Sequence, residues 1–142
     1  MLASVIIAPE LDTHFLNGDP AIYSKRDLES LVDRFGRKVI VLFLGRERGK
    51  FFAHLEINKN TATATADSTI RDFCRLIDDL PKPEGKIWDA AIVRSFSVGV
   101  QAEMGSPVRD FRVTQSTVKA ASDVGAEIVL TVCAAARKPR RK

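Results

Sequence analysis

The chain reads as an α+β domain: a two-layer sandwich in which a mostly antiparallel sheet of five or six strands carries three helices on one face. Three observations predict this. Runs with a two-residue apolar alternation interleave with runs of helical periodicity. The connections between them are short, as in a single layered core. One pair of strand-like runs is so closely spaced that it must form a hairpin. With 142 residues, 45% of them hydrophobic, such a chain buries roughly 70% of its unfolded surface and needs no disulfide or metal to hold a core.

The elements follow in order. Residues 1–8 are apolar, lack a basic leader and stop at Pro9-Glu10. They are too short for a signal peptide and read as a first strand, so a cytoplasmic location is expected. Residues 25–35 read as a helix, with Ser24 and Asp27 as a capping pair, Leu28, Leu31, Val32 and Phe35 at helical spacing, and Gly36 as the stop. Residues 38–46 are apolar at both parities, the pattern of a central strand buried on both faces. A polar turn at 46–49 leads into a strand over 50–57.

Residues 58–66 alternate Thr and Ala and read as strand extension or loop. Asp67 is expected to cap a second helix whose Ile70, Phe73, Cys74, Ile77 and Leu80 form one stripe. The Pro81-Lys82-Pro83-Glu84-Gly85 run breaks it. Residues 91–102 alternate strictly as a strand, and 110–113 read as a short one. Thr114 caps a third helix (Val118, Ala121, Val124) ending at Gly125, and 127–133 form the last strand. The first six elements match the ferredoxin-like order, extended by a strand-helix-strand unit. Residues 1–136 read as one domain.

The net charge of +4 is confined to a tail. Arg137, Lys138, Arg140, Arg141 and Lys142 supply five positive charges, so the rest of the chain carries about −1. A short basic terminus of this kind is expected to be solvated and disordered, with weak, salt-sensitive attraction to phosphate. No apolar run is long enough to cross a membrane as a helix.

The search for chemistry excludes more than it finds. Gly45-Arg46-Glu47-Arg48-Gly49-Lys50 imitates a phosphate-binding loop, but it has three residues between its glycines, Phe51 after the lysine and a strand next; that loop needs four, a hydroxyl and a helix. Cys74 and Cys133 lie far apart and have no histidine neighbours, so neither a zinc nucleus nor an activated thiol is expected. His14 with Asp12 and Asp19 could hold a hard cation loosely, although turn chemistry explains them as well. Asp78-Asp79, at a helix end before Pro81, read as solvent-facing carboxylates, and Glu56, Asp89 and Glu103 occur singly. No metal, cofactor or catalytic residue is assigned, and an enzyme is the less favoured class.

Strand parity carries the positive inference. Phe52, His54 and Glu56 share one side of their strand, opposite Phe51, Ala53, Leu55 and Ile57. Ser95, Ser97, Gly99 and Gln101 lie opposite Phe96, Val98 and Val100. One sheet face is therefore oily enough for the helices and the other polar. That second face is the candidate contact surface for a protein partner or a second copy, through Phe52, His54, Glu56 and Gln101. Trp88, the single tryptophan, reads as a core edge or a binding hot spot. Arg94 extends the apolar parity of its strand and reads as an ion pair with a carboxylate such as Asp89, or as an anion contact.

Trp88, the run Arg94-Ser95-Phe96 with Gly99 and Gln101, and a helix leading through Gly125-Ala126 to Thr131-Val132 together resemble an uncharacterised family of small bacterial α+β domains of unknown function. The resemblance covers the C-terminal half. Cys133 and Ala134 stand where that family usually has an aromatic, and Ser97 where it usually has an acidic residue. Some such domains look like immunity proteins, so the resemblance implies a non-enzymatic bacterial partner-binding protein. The alternatives are a nucleic-acid accessory protein acting through Arg137 to Lys142, and a small enzyme with a site around His54, Glu56 and Arg94.

Overall fold

The computed structural model describes residues 13–59, 63–105 and 107–134. Strands β1 (His14–Ser24), β2 (Val39–Glu47), β3 (Lys50–Ile57), β4 (Val93–Gln101) and β5 (Glu127–Cys133) form one sheet, ordered β2-β3-β1-β4-β5. Every neighbouring pair is antiparallel except β4 and β5, which run parallel. Four helices accompany it: α1 (Glu29–Phe35), α2 (Ala66–Asp78), α3 (Lys82–Asp89) and α4 (Gln115–Asp123). The α+β class and the mostly antiparallel sheet are as expected, with four helices rather than three. The expected strand over 1–8 and the basic tail lie outside the described residues.

The helices converge on a single face. Phe73 of α2 meets Phe96 of β4 edge-on at 5.7 Å, Phe35 of α1 at 5.2 Å and Trp88 of α3 at 6.1 Å. Trp88 donates its Nε1 proton to the Val124 carbonyl after α4, at 2.8 Å. That bond satisfies a polar atom whose side chain is otherwise sealed, since Trp88 is 1% exposed. The helix α2 begins with Thr65, whose hydroxyl accepts from the Ser68 amide while Ser68 reaches back to the Thr65 amide. Asp67, expected as the cap, instead accepts from the amide and hydroxyl of Thr114 at 2.7 and 2.9 Å and pairs with Arg71. It ties the start of α4 to α2. Thr114 caps α4 as its sequence predicts.

The helix α2 ends at Asp78, ahead of the Pro-rich run as expected; that run also starts a helix of its own, because prolines at a first turn lack only an amide that no helical bond would use. Other expectations fail. Residues 110–113 form no strand. Most consequentially, β1 occupies the centre of the sheet although His14 and its neighbours read as a loop. It contains Asn17-Gly18-Asp19-Pro20, and proline is ordinarily confined to sheet edges because it cannot donate to a ladder. Pro20 nevertheless pairs opposite Phe96. Conversely β2, expected at the centre, is an edge strand with Ile40, Val41, Leu42, Phe43 and Leu44 exposed.

Candidate functional site

Register defines the face that the helices leave bare. Ala21 of β1 lies opposite His54 on one side and Ser95 on the other, and these lie opposite Phe43 and Glu127. This row and its neighbours share the side away from Ile22, Leu55 and Phe96. One residue pair along, Tyr23 lies opposite Phe52, and their rings stack with centroids 4.3 Å apart. The Phe43 ring sits 5.6 Å from Phe52. A bulge between Val41 and Phe43 allows this: it shifts the pairing of β2 by one residue and turns Phe43 toward the bare face. The Tyr23 hydroxyl donates to Glu47 at 3.3 Å, which fixes the patch against the β2–β3 hairpin. That hairpin turns at Arg48 and Gly49, both with positive φ, as a two-residue turn of the type that matches strand twist.

Beside the aromatic patch, Asp19 is only 4% exposed and His54 Nε2 lies 3.2 Å from its Oδ2. The other carboxyl oxygen of Asp19, Oδ1, has no hydrogen-bond partner among the described residues. Burial raises the Asp19 pKa above the usual carboxylate range, His54 opposes that shift, and the charge of Glu56 adds to it. The pair holds the imidazole in one orientation and makes Asp19 a partly desolvated acceptor. Among the described residues the His54 ring has Asp19 as its hydrogen-bond partner and stacks near the Phe52 ring; general acid–base work would need a further group on that ring.

The structure therefore brings together Phe52, His54 and Glu56 and adds Asp19, Tyr23 and Phe43. The remaining candidates lie elsewhere. Arg94 pairs opposite Ile22 while His54 pairs opposite Ala21, so their side chains leave opposite faces. No site can combine His54, Glu56 and Arg94. Arg94 makes no ion pair with the Asp89 carboxylate; it donates to the carbonyls of Trp88 and Asp89 at 3.4 and 3.0 Å, where a cation offsets the partial negative charge of a helix end. Trp88 is core, not surface. Gln101 shares the bare face but pairs with His14, seven residues along β1 from Ala21, which is about 23 Å. There its amide donates to the carbonyls of Cys133 and Ala134 and holds the end of β5.

The loose cation site also dissolves. Asp12 lies outside the described residues, and His14 and Asp19 are five residues apart along one strand, about 16 Å. No cluster of three or more metal-ligating side chains occurs among the described residues. The imitation phosphate loop is the β2–β3 hairpin. Cys74 is buried, and burial together with Asp78 pushes its thiol up to about 11, which makes it unreactive.

A second concavity lies on the helix side, beneath β4 and β5. It encloses about 680 Å³ and is lined by Val98, Val100, Phe111, Ile128, Leu130 and Val132, with Thr13 at its margin. Sequence reasoning missed Asp19 and Tyr23 as members of the bare face, because the parity of β1 is unreadable until Pro20 is known to lie in a strand, and missed Phe43 because the bulge in β2 shifts its parity. No described helix is long and apolar enough to cross a membrane. Comparison with protein-family models, curated proteins and solved structures finds no match for this chain.

Proposed function

We propose that this chain is a non-enzymatic binding protein of the bacterial cytoplasm that holds a protein partner on the bare face of its sheet. The observation that carries the reading is the aromatic patch of Tyr23, Phe43 and Phe52 beside the Asp19–His54 pair. Aromatic side chains of limited flexibility beside a partly desolvated charge are the composition of protein-binding hot spots. A polyanion crossing this face would meet the carboxylates of Asp19, Glu56 and Glu47, which favours a protein over a nucleic acid. The order β2-β3-β1-β4, antiparallel throughout, supports reading the first four strands as a ferredoxin-like unit. In this reading the resemblance of the C-terminal half to small bacterial domains, some of them immunity-like, reflects kinship.

The test is native co-purification with the full chain and two variants. Wild type is expected to retain one protein stoichiometrically after gentle lysis. Phe43→Ser combined with Phe52→Ser is expected to lose it, and deletion of residues 137–142 to keep it. A partner retained by the double variant, or none retained by wild type, would overturn the reading. A complex that contains nucleic acid and vanishes with the tail would transfer the function to Arg137, Lys138, Arg140, Arg141 and Lys142.

A further inference from the structure

We propose that a second copy of this chain pairs with β5, edge to edge and antiparallel, joining the two sheets across a two-fold axis at Leu130. The surface is separate from the Tyr23–Phe52 patch, which lies toward the opposite edge and stays open in the pair.

Among the described residues β5 is a sheet edge, with β4 on one side only. Its outer row of amides and carbonyls is a template for another strand, and proteins ordinarily blunt such edges with bulges, prolines or charges. None of these devices is present from Ile128 to Cys133, and the pairing with β4 is regular throughout. The side chains are apolar toward both faces, and Leu130 and Val132 remain 63% and 59% exposed. An apolar edge of this kind is stable in water when something covers it.

Two features favour a copy of the same chain as the cover. The strand is self-complementary. With Leu130 on the axis, Ile128 lies opposite Val132 of the second copy and Val129 opposite Thr131, and no like charges oppose. Area agrees as well. A seven-residue edge is about 23 Å long and alone hides less than the roughly 800 Å² per partner of a standard interface. Two-fold pairing lays the two apolar grooves beneath β5 side by side, and Ile128, Leu130 and Val132 close them against the other copy.

The experiment uses the full chain in sedimentation equilibrium over a wide concentration range. Wild type is expected to reach twice the 15.7 kDa chain mass. Leu130→Lys sets two like charges against each other on the axis and should raise the dissociation constant at least about tenfold. Leu130→Cys in a Cys133→Ser background should form an intermolecular disulfide on mild oxidation, and Val118→Cys should not; this result decides the matter if the lysine variant fails to fold. A wild-type monomer at every concentration would overturn the proposal. So would a dimer indifferent to Leu130→Lys, or a dimer that appears only after deletion of residues 1–12, which would assign the edge to the chain's own amino-terminal segment.

Discussion

The two faces of this sheet are built from the same strands by alternate residues, and they behave as different materials. On the helix side Ile22, Leu55 and Phe96 are buried against Phe73 and Trp88. One residue away on two of these strands, Tyr23 and His54 point to the opposite side and are only partly buried. The covered face gains its stability from close packing, where removed atoms leave cavities. The bare face holds polar and aromatic groups whose contacts are few and local. Packing thus accounts for the first face, while the second has features, an unsatisfied buried carboxylate oxygen and stacked rings, that packing does not require.

The comparison breaks most easily at its largest expected effect. Phe73→Ala should cost about 3–5 kcal/mol in urea unfolding, as buried aromatic truncations do. Phe43→Ala, at a residue 43% exposed, should cost under about 1 kcal/mol. Equal losses would mean that the bare face is covered in solution. Next comes Asp67→Asn, expected to cost about 1–3 kcal/mol through lost charge-assisted bonds to Thr114. Burial raises the Asp67 pKa, but the hydrogen bonds from Thr114 and Thr117 and the charge of Arg71 outweigh it and hold the value below 3.8. Its stabilisation is therefore present above 3.8 and lost as pH falls through the depressed folded value. The variant should lose that acid-side slope, measured by unfolding at a series of pH values.

Asp19 has the opposite sign. Its folded pKa is raised above 3.8, chiefly by burial, so its contribution is fully present below 3.8 and is lost as pH rises through the raised value. Asp19→Asn should flatten stability over that window without lowering it near neutrality. A loss of stability near neutrality in the variant would show that the His54 contact, not desolvation, dominates. The smallest effect concerns reactivity alone. Cys133, partly exposed on the bare side, should react with a thiol reagent in the native state, while Cys74 should wait for unfolding; mass spectrometry of the labelled protein reads the order.

Much of this was legible before any coordinates. The parity of β3 and β4 identified which side chains share each face, since alternation is a property of the extended chain itself. The α2 stripe, the hairpin and the Thr114 cap are local signals and needed no tertiary context. Position within the sheet was not legible. The apolar run at 39–44 suggested burial at the centre, yet among the described strands it forms an edge, while a strand containing Gly18 and Pro20 took the centre. Small residues suit the centre because helices and neighbouring strands approach closely there: a Cβ on Gly18 would lie 3.1 Å from the Thr69 methyl of α2. Trp88 and Arg94 were drawn to function by their rarity and parity, and only their partners showed them to be structural.

The two edges carry the same lesson. On β2 the bulge at Val41/Phe43 and the charged Arg46 and Glu47 at one end discourage another strand; β5 has no bulge, and its one charge is Glu127 at its start. The amino-acid sequence by itself determined the fold class, the local elements and the two-sidedness of each strand, because these follow from side-chain periodicity and nearest-neighbour hydrogen bonds. The tertiary structure alone decided which strand lies inside, which residues meet as Asp19 meets His54, and which apolar strand is left uncovered. Those depend on pairing between distant segments, whose free energy is spread over many contacts that no short stretch of chain contains.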